Sequence, residues 1–268
     1  MLNYSIYNHP SSPEWVTFVH GAGGSSTIWH KQVRAFKAEF NVLVPDLRGH
    51  GNSNTGEKDM SKKYTFDVVT NDIIELIDYL EIKKSHFVGI SLGTILIRNL
   101  AGKHPKRIKS MILAGAIMKL NLRSQILMQL GIILKSVVPY MLLYKFFAYI
   151  IMPRQNHKES RSLFAREAKK LNQKEFIRWF RLTAEINPLL KFFRSNDIKT
   201  PTLYVMGSED HLFLPSIQKL AKEHEFSNVY VVPGCGHVVN VEQPQVFNKQ
   251  SIQFISRVGE ETKNFVDS

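Results

Sequence analysis

The sequence has a single cysteine, Cys235, which excludes an internal disulfide. It also lacks any Cys/His cluster with the spacing of zinc ligands, so we expect no metal and no cofactor. Residues 1–9 have neither a basic stretch nor an apolar run, so no secretory signal is expected. These absences favour a reducing, cytoplasmic compartment.

Acidic residues are scarce in one part of the chain. The formal net charge is +12, and residues 119–194, with fifteen Lys/Arg and four acids, carry +11 of it. A basic block can serve nucleic acid, an anionic lipid surface, an anionic substrate or solubility. No nucleic-acid recognition motif is present, so we expect no such partner.

Apolar periodicity divides the chain into three parts. Short apolar runs alternate with helix-period segments, except in residues 119–195, where only helical periodicity is present. We therefore expect an α/β core of residues 1–118 and 196–268, with a mostly parallel sheet between two layers of helices, and a helical insert at 119–195. The predicted strands are residues 3–7, 15–19, 42–45, 86–89, 110–113, 202–206 and 229–232, and the predicted core helices are 28–38, 66–80, 92–102, 216–222 and 244–256.

The longest apolar stretch, residues 130–152, resembles a membrane span in composition alone. It contains Lys135 and Lys145, each of which would cost roughly 2.5–3.5 kcal/mol at a bilayer centre. It also contains Pro139, which interrupts a helix. We interpret it as a pair of buried helices broken at Pro139.

The motif with the clearest chemistry is Gly-Ile-Ser-Leu-Gly at residues 89–93. It follows an apolar strand run and precedes a helical run. A turn this sharp strains its apical residue, and the flanking glycines remove side-chain atoms that would clash. The pattern predicts that Ser91 projects from the end of the strand at the N-terminus of a helix.

Four more motifs follow the order of one known family. They are His-Gly-Ala-Gly-Gly at 20–24, Asp-Leu-Arg-Gly-His-Gly-Asn-Ser at 46–53, Gly-Ser-Glu-Asp at 207–210 and Gly-Cys-Gly-His at 234–237. Together with the serine turn they resemble the α/β-hydrolase family over nearly the whole chain. The resemblance implies a serine hydrolase whose insert forms a cap over the active site.

Each residue that the resemblance selects has a chemical role. Ser91 is expected to be the nucleophile, His237 the base that takes its proton, and Asp210 the acid that orients the imidazole. The backbone N–H of Leu92, and by resemblance that of Ala22, would stabilise the oxyanion. Losing one such donor typically costs about 2.7–4 kcal/mol of transition-state stabilisation.

Neighbouring residues compete for some of these roles. Glu209 is the alternative acid, although we expect it to be an exposed loop carboxylate. His20 and His50 are expected to form hydrogen bonds within their loops, and Arg48 to tie its turn in place. Cys235 is expected to pack rather than react.

Three functions fit the sequence. The first is cleavage of a small-to-medium lipophilic carboxylic ester through an acyl-enzyme, because the insert is rich in long apolar side chains. The second keeps the same three residues for C–C bond cleavage, elimination or thioester hydrolysis on an anionic substrate. The third is a ligand-binding signalling protein with little catalysis. The partners expected are a small-molecule ester and, through the basic insert, anionic lipid; the oligomeric state stays open.

Overall fold

Seven strands form one sheet in a computed structural model, which describes residues 1–53, 64–134, 137–171 and 173–266. The strands are β1 (Tyr4–Tyr7), β2 (Trp15–Val19), β3 (Asn41–Pro45), β4 (Ser85–Ile90), β5 (Ile108–Ala114), β6 (Thr202–Gly207) and β7 (Ser227–Val232). Their order is β1-β3-β2-β4-β5-β6-β7. Only β1 is antiparallel to its neighbour, so the predicted mostly parallel sheet is confirmed.

Helices cover both faces of this sheet. Those of the core are α1 (His30–Phe36), α2 (Phe66–Tyr79), α3 (Leu92–Lys103), α9 (Leu214–Glu223), α10 (Val239–Glu242) and α11 (Pro244–Val266). The insert, residues 119–195, contains α4 (Leu122–Leu134), α5 (Tyr140–Ile151), α6 (Lys158–Ala168), α7 (Gln173–Arg181) and α8 (Thr183–Ser195).

The predicted elements agree with this architecture apart from their ends. The segment 28–38 begins as a 3-10 turn at Ser26–Trp29, because the Ser25 hydroxyl accepts the N–H of Thr27 there, and becomes α-helical at His30. The last helix runs to Val266 instead of ending at residue 256. Helix ends depend on capping contacts, which periodicity does not predict.

The apolar stripe predicted on α2 does face the core. Val69, Ile73, Leu76 and Ile77 are fully buried, and Leu80, just after the helix, is partly buried against the same cluster. The Thr65 hydroxyl caps the helix by accepting the N–H of Val68. Burying side chains of this size stabilises the fold by about 1.5–3 kcal/mol each.

The second half of the insert packs into the main core. Leu190 and Phe193 of α8 belong to the same buried cluster as Ile97 of α3. Arg98, also on α3, is buried and donates to the carbonyl of Phe193 over 2.9 Å. The second half of the insert and the α/β core therefore share one apolar cluster, whereas Leu143, Tyr144, Ala168 and Phe176 form a cluster within the insert.

The apolar stretch 130–152 folds as two helices, as predicted, with Pro139 immediately before α5. Lys135 lies outside the described residues. The expectation that this pair is buried holds for one side only: Leu143, Tyr144 and Ala148 are buried, whereas the outer side is exposed. The exposed residues are Leu130, Ile133, Leu142, Phe146 and Tyr149. Among the residues that the structure describes, no helix is both long and apolar enough to cross a membrane.

The turn between β4 and α3 depends on a close backbone contact. A Cβ atom on Gly93 would lie 2.3 Å from the carbonyl oxygen of Val19 and 2.8 Å from that of His20. Backbone atoms of a central strand cannot move aside cheaply. Glycine is therefore required at 93 so that α3 can approach β2.

We expect Gly93→Ala to lower the free energy of unfolding by at least about 1–3 kcal/mol, because the added methyl group overpacks this contact. Gly102→Ala is the matched control in the same helix. Its Cβ would meet nothing closer than a Phe192 ring carbon at 3.9 Å. That change should stabilise the protein by about 0.5–1 kcal/mol. Urea unfolding measures both, and equal effects would contradict the packing argument.

Candidate active site

Ser91 sits at the apex of the β4–α3 turn in a strained backbone conformation. Its φ is 53° and its ψ is −120°, a backbone conformation that residues other than glycine rarely adopt. The Ser91 N–H donates to the carbonyl of Ala114, and Thr94 donates to the Ser91 carbonyl from both its N–H and its hydroxyl. These bonds hold a conformation that costs about 1–3 kcal/mol.

His237 and Asp210 lie next to Ser91, as the sequence predicts. His237 Nδ1 is 2.7 Å from Asp210 Oδ2, and His237 Nε2 is 3.0 Å from Ser91 Oγ. A carboxylate can only accept, so Nδ1 carries the proton and Nε2 is left to accept from the Ser91 hydroxyl. His237 and Asp210 are both buried. The three side chains therefore form one chain of hydrogen bonds that begins at the serine.

The loop after β6 carries two acids, Glu209 and Asp210, whose side chains contact different parts of the molecule. Asp210 is buried and its Oδ1 also accepts the N–H of Phe213. The Glu209 carboxylate instead accepts from Arg154 over 2.5 Å and from Asn156 and His157 over 2.9 Å each. These insert contacts, that of Asn156 first, lower its pKa.

The expectation that Glu209 is an exposed carboxylate is therefore wrong. Its side chain is only 13% exposed, because the segment before α6 covers it. His157 is fully buried against it. Glu209 does not contact His237 in the structure; it joins the insert to the core.

The two predicted oxyanion donors belong to backbone segments next to Ser91. Leu92 is the first residue of α3, where backbone N–H groups have no partner within the helix. The loop that carries Ala22 passes close to the serine, since a Cβ on Gly21 would be 3.3 Å from that of Ser91. Within the described part of the chain, neither N–H donates to a protein acceptor. Both remain available to a ligand.

Two buried histidines fix this loop against the turn after β3. His20 Nε2 accepts the N–H of Leu47, and His50 Nε2 accepts the N–H of Gly23, each over 2.9 Å. Burial lowers the pKa of both imidazoles, and that of His50 lies well below its usual value. Neutral rings are required here, because a protonated Nε2 could not accept. The prediction that they hydrogen-bond within their own loops is confirmed, since His20 Nδ1 donates to the Gly21 carbonyl over 2.8 Å and His50 Nδ1 to the Arg48 carbonyl over 3.1 Å. Each ring also joins the two loops.

Arg48 and Cys235 have the structural environments expected of them. The Arg48 guanidinium binds both oxygens of Asp72 on α2, at 2.7 and 2.5 Å, and so ties its turn to that helix. Cys235 is buried, and burial raises the pKa of its thiol. A thiol held in the protonated state is a poor nucleophile.

The insert contacts the loop that carries Ala22 through two buried side chains. The Tyr144 hydroxyl of α5 donates to the Ala22 carbonyl over 2.8 Å, and the Ser25 hydroxyl donates to Glu167 of α6 over 2.7 Å. Burial raises the pKa of Tyr144 well above its usual value, so the phenol stays a donor. These contacts join segments far apart in sequence, and no local motif signals them.

An apolar cavity of about 170 Å³ is connected to the site through Phe213, while neither Ser91 nor His237 is among its described lining residues. The Phe213 ring forms part of its wall, with its centroid 5.3 Å from that of the His237 ring. Ser124 is the only polar residue among the nine described ones that line it, and its buried hydroxyl has no hydrogen-bond partner in the structure. The other eight are Leu120, Met128, Phe147, Ile150, Ile151, Phe180, Leu212 and Phe213.

Comparison with known proteins covers nearly the whole chain. A family model described as alpha/beta hydrolase fold matches residues 14–244. 3-Oxoadipate enol-lactonase 2 of Acinetobacter baylyi is 24% identical over 253 residues, which are 92% of this chain and 90% of that one. The putative carbamate hydrolase RutD of Agrobacterium fabrum is 25% identical over 248 residues, 88% of this chain and 90% of that one.

Solved structures agree with the architecture. MenH from S. aureus superposes with a TM-score of 0.82 at 19% identity, over 97% of this chain and 100% of its own. The enol-lactonase from Burkholderia xenovorans LB400 gives 0.78 at 20% identity, over 95% and 96%. At these identities the likeness establishes the fold alone.

Proposed function

The chain belongs to the α/β-hydrolase family and is a hydrolase, and from that premise we propose that it cleaves a carboxylic ester with an apolar acyl group. The observation that carries the proposal is the hydrogen-bonded chain of Ser91, His237 and Asp210, connected through Phe213 to a cavity lined almost entirely by apolar side chains. The relative that is an enol-lactonase supports ester chemistry, since a lactone is a cyclic ester.

The proposed mechanism passes through an acyl-enzyme. Ser91 Oγ attacks the ester carbonyl while His237 Nε2 takes its proton. The N–H groups of Leu92 and Ala22 stabilise the resulting oxyanion. His237, held by Asp210, then gives the proton to the departing alcohol and leaves an acyl ester on Ser91. Water repeats the sequence, releasing the carboxylic acid and restoring the serine.

The apolar lining of the cavity favours a substrate with an uncharged, apolar acyl chain. The insert supplies seven of its nine lining residues, and we propose that residues 119–195 act as the cap domain of this enzyme. The free hydroxyl of Ser124 offers one hydrogen bond, which suits a substrate with a single polar atom along its chain. We also propose a cytoplasmic location, which a single buried cysteine suits.

The alternative of an anionic substrate is less well supported. None of the nine residues that line this cavity is charged. A second cavity, of about 400 Å³, is lined by Lys119, Arg194, Lys219 and Glu223, and none of its described lining residues makes a ring contact with His237, as Phe213 of the first cavity does. Burying a carboxylate in the first cavity without a cation would carry a large desolvation cost. A signalling protein without catalysis would not need the strained Ser91 turn, so that function is disfavoured too.

We expect a fluorophosphonate to label the native protein once, on Ser91, because an activated serine attacks its phosphorus atom. Ser91→Ala should remove the labelling, whereas Ser256→Ala, a change at an exposed serine on α11, should leave it intact. Intact-protein mass spectrometry measures the adduct. Labelling that persists in Ser91→Ala would disprove the assignment of the nucleophile.

Asp210→Asn should keep the protein folded but reduce kcat by up to about 10⁴, because an asparagine stabilises the wrong imidazole tautomer. Glu209→Gln is the adjacent control. Its contacts go to the insert, so kcat should stay within a fewfold of the native value. Steady-state hydrolysis of p-nitrophenyl butyrate, with circular dichroism for folding, separates the two. A larger loss of kcat in Glu209→Gln than in Asp210→Asn would assign the role of the orienting acid to Glu209.

A panel of p-nitrophenyl esters tests the substrate class. The value of kcat/KM should rise about fourfold per added methylene until the cavity is full, and then fall. Met128→Ala enlarges the cavity and should move the optimum to longer chains, whereas Leu142→Ala, on the outer side of α5, should not. Faster cleavage of esters with a terminal carboxylate, or of aryl thioesters, would favour the alternative function.

A further inference from the structure

The outer sides of α4 and α5 carry apolar residues that are largely exposed to solvent, with only edge contacts such as that of Phe146 with Phe147 and that of Tyr149 with Arg161. Their spacing of three or four positions puts them on one side of each helix. Their exposed fractions lie between 42% and 73%. This apolar face consists of Leu122, Ile126, Leu130 and Ile133 on α4, and Leu142, Phe146 and Tyr149 on α5.

The opposite side of the same two helices faces the apolar cavity. Ser124 and Met128 of α4, with Phe147, Ile150 and Ile151 of α5, are among its lining residues. The outer residues therefore contribute neither to the core nor to that cavity. Apolar side chains gathered into one exposed patch on a monomer mark a surface that meets another molecule or a membrane.

The charge around the apolar face has one sign. The sequence contains no Asp or Glu between Lys119 and Pro153. Lys145 is exposed on α5 at the helical position between Leu142 and Phe146, and Lys119 is exposed just before α4. Exposed apolar residues on a segment whose only charged residues are cations are typical of helices that lie in the interface of an anionic bilayer.

We propose that the apolar face docks on an anionic lipid surface, with its side chains in the interfacial region and Lys119 and Lys145 against the headgroups. A bilayer is favoured over a protein partner because the face offers no acidic side chain for mixed-charge complementarity. Since α4 and α5 carry the apolar face on one side and the cavity on the other, docking brings the cavity next to the lipid phase.

Vesicle co-sedimentation tests the proposal, and the Ser91→Ala background makes binding independent of hydrolysis. The protein should bind phosphatidylcholine vesicles that contain phosphatidylglycerol and ignore pure phosphatidylcholine. Ile126→Ser with Ile133→Ser should weaken binding by about tenfold or more. Lys145→Glu should weaken it by about fivefold or more. Binding should also weaken as the screening length falls from about 30 Å to about 8 Å with added salt.

Matched controls lie on the far elements of the core. Tyr79→Ser removes a side chain that is 64% exposed on α2, and Lys249→Glu reverses an exposed charge on α11. Both should bind vesicles like the parent, and thermal unfolding verifies that every variant is folded. Equal binding to neutral and anionic vesicles, no binding to either, or unchanged binding by the double isoleucine variant would overturn the proposal. Self-association that depends on Ile126 and Ile133, without vesicle binding, would assign the face to a second copy.

Discussion

The backbone of Ser91 is the constraint on which the rest of the site depends. A positive φ at a residue with a side chain is tolerated only because surrounding contacts leave the turn no alternative. Gly93 lets α3 come into contact with the backbone of β2, and the carbonyl and N–H of Ser91 are both hydrogen-bonded. This packing directs the hydroxyl out of the sheet, where His237 reaches it. The sheet thus acts as a rigid support for one side chain.

Neutral, buried imidazoles give the adjoining loops a comparable rigidity. His20 and His50 each accept a backbone N–H from another loop, so the segment beside Ser91 and the turn after β3 hold one another. Because burial keeps these rings uncharged, the arrangement does not change as the surroundings pass through neutral pH. Donors that are fixed before a substrate arrives need no reorganisation when charge develops, which is the condition for effective oxyanion stabilisation.

The sequence predicted the sheet and the core helices from apolar alternation, and the turn at Ser91 from glycines at the end of a strand. The approach of His237 and Asp210 to Ser91 was implied by the resemblance to the α/β-hydrolase family. The sequence did not predict the contacts of the insert. Tyr144 meets Ala22 across 122 positions, and Ser124 faces a cavity only because three helices surround it. The burial predicted for α4 and α5 is also observed on one side only. Composition indicates that a helix is apolar, but which of its sides are buried depends on the elements that pack against it.

Glu209 and Asp210 are consecutive residues that belong to different parts of the molecule. The Glu209 carboxylate accepts hydrogen bonds from Arg154, Asn156 and His157 of the insert. The Asp210 carboxylate accepts one from His237 of the core. In a chimera that replaced residues 119–195 by the equivalent segment of a relative, Glu209 would lose all three donors one peptide bond away from the acid. Exchange of inserts during evolution or engineering therefore requires that the segment 154–157 and the loop after β6 be inherited together, as a single recombination unit.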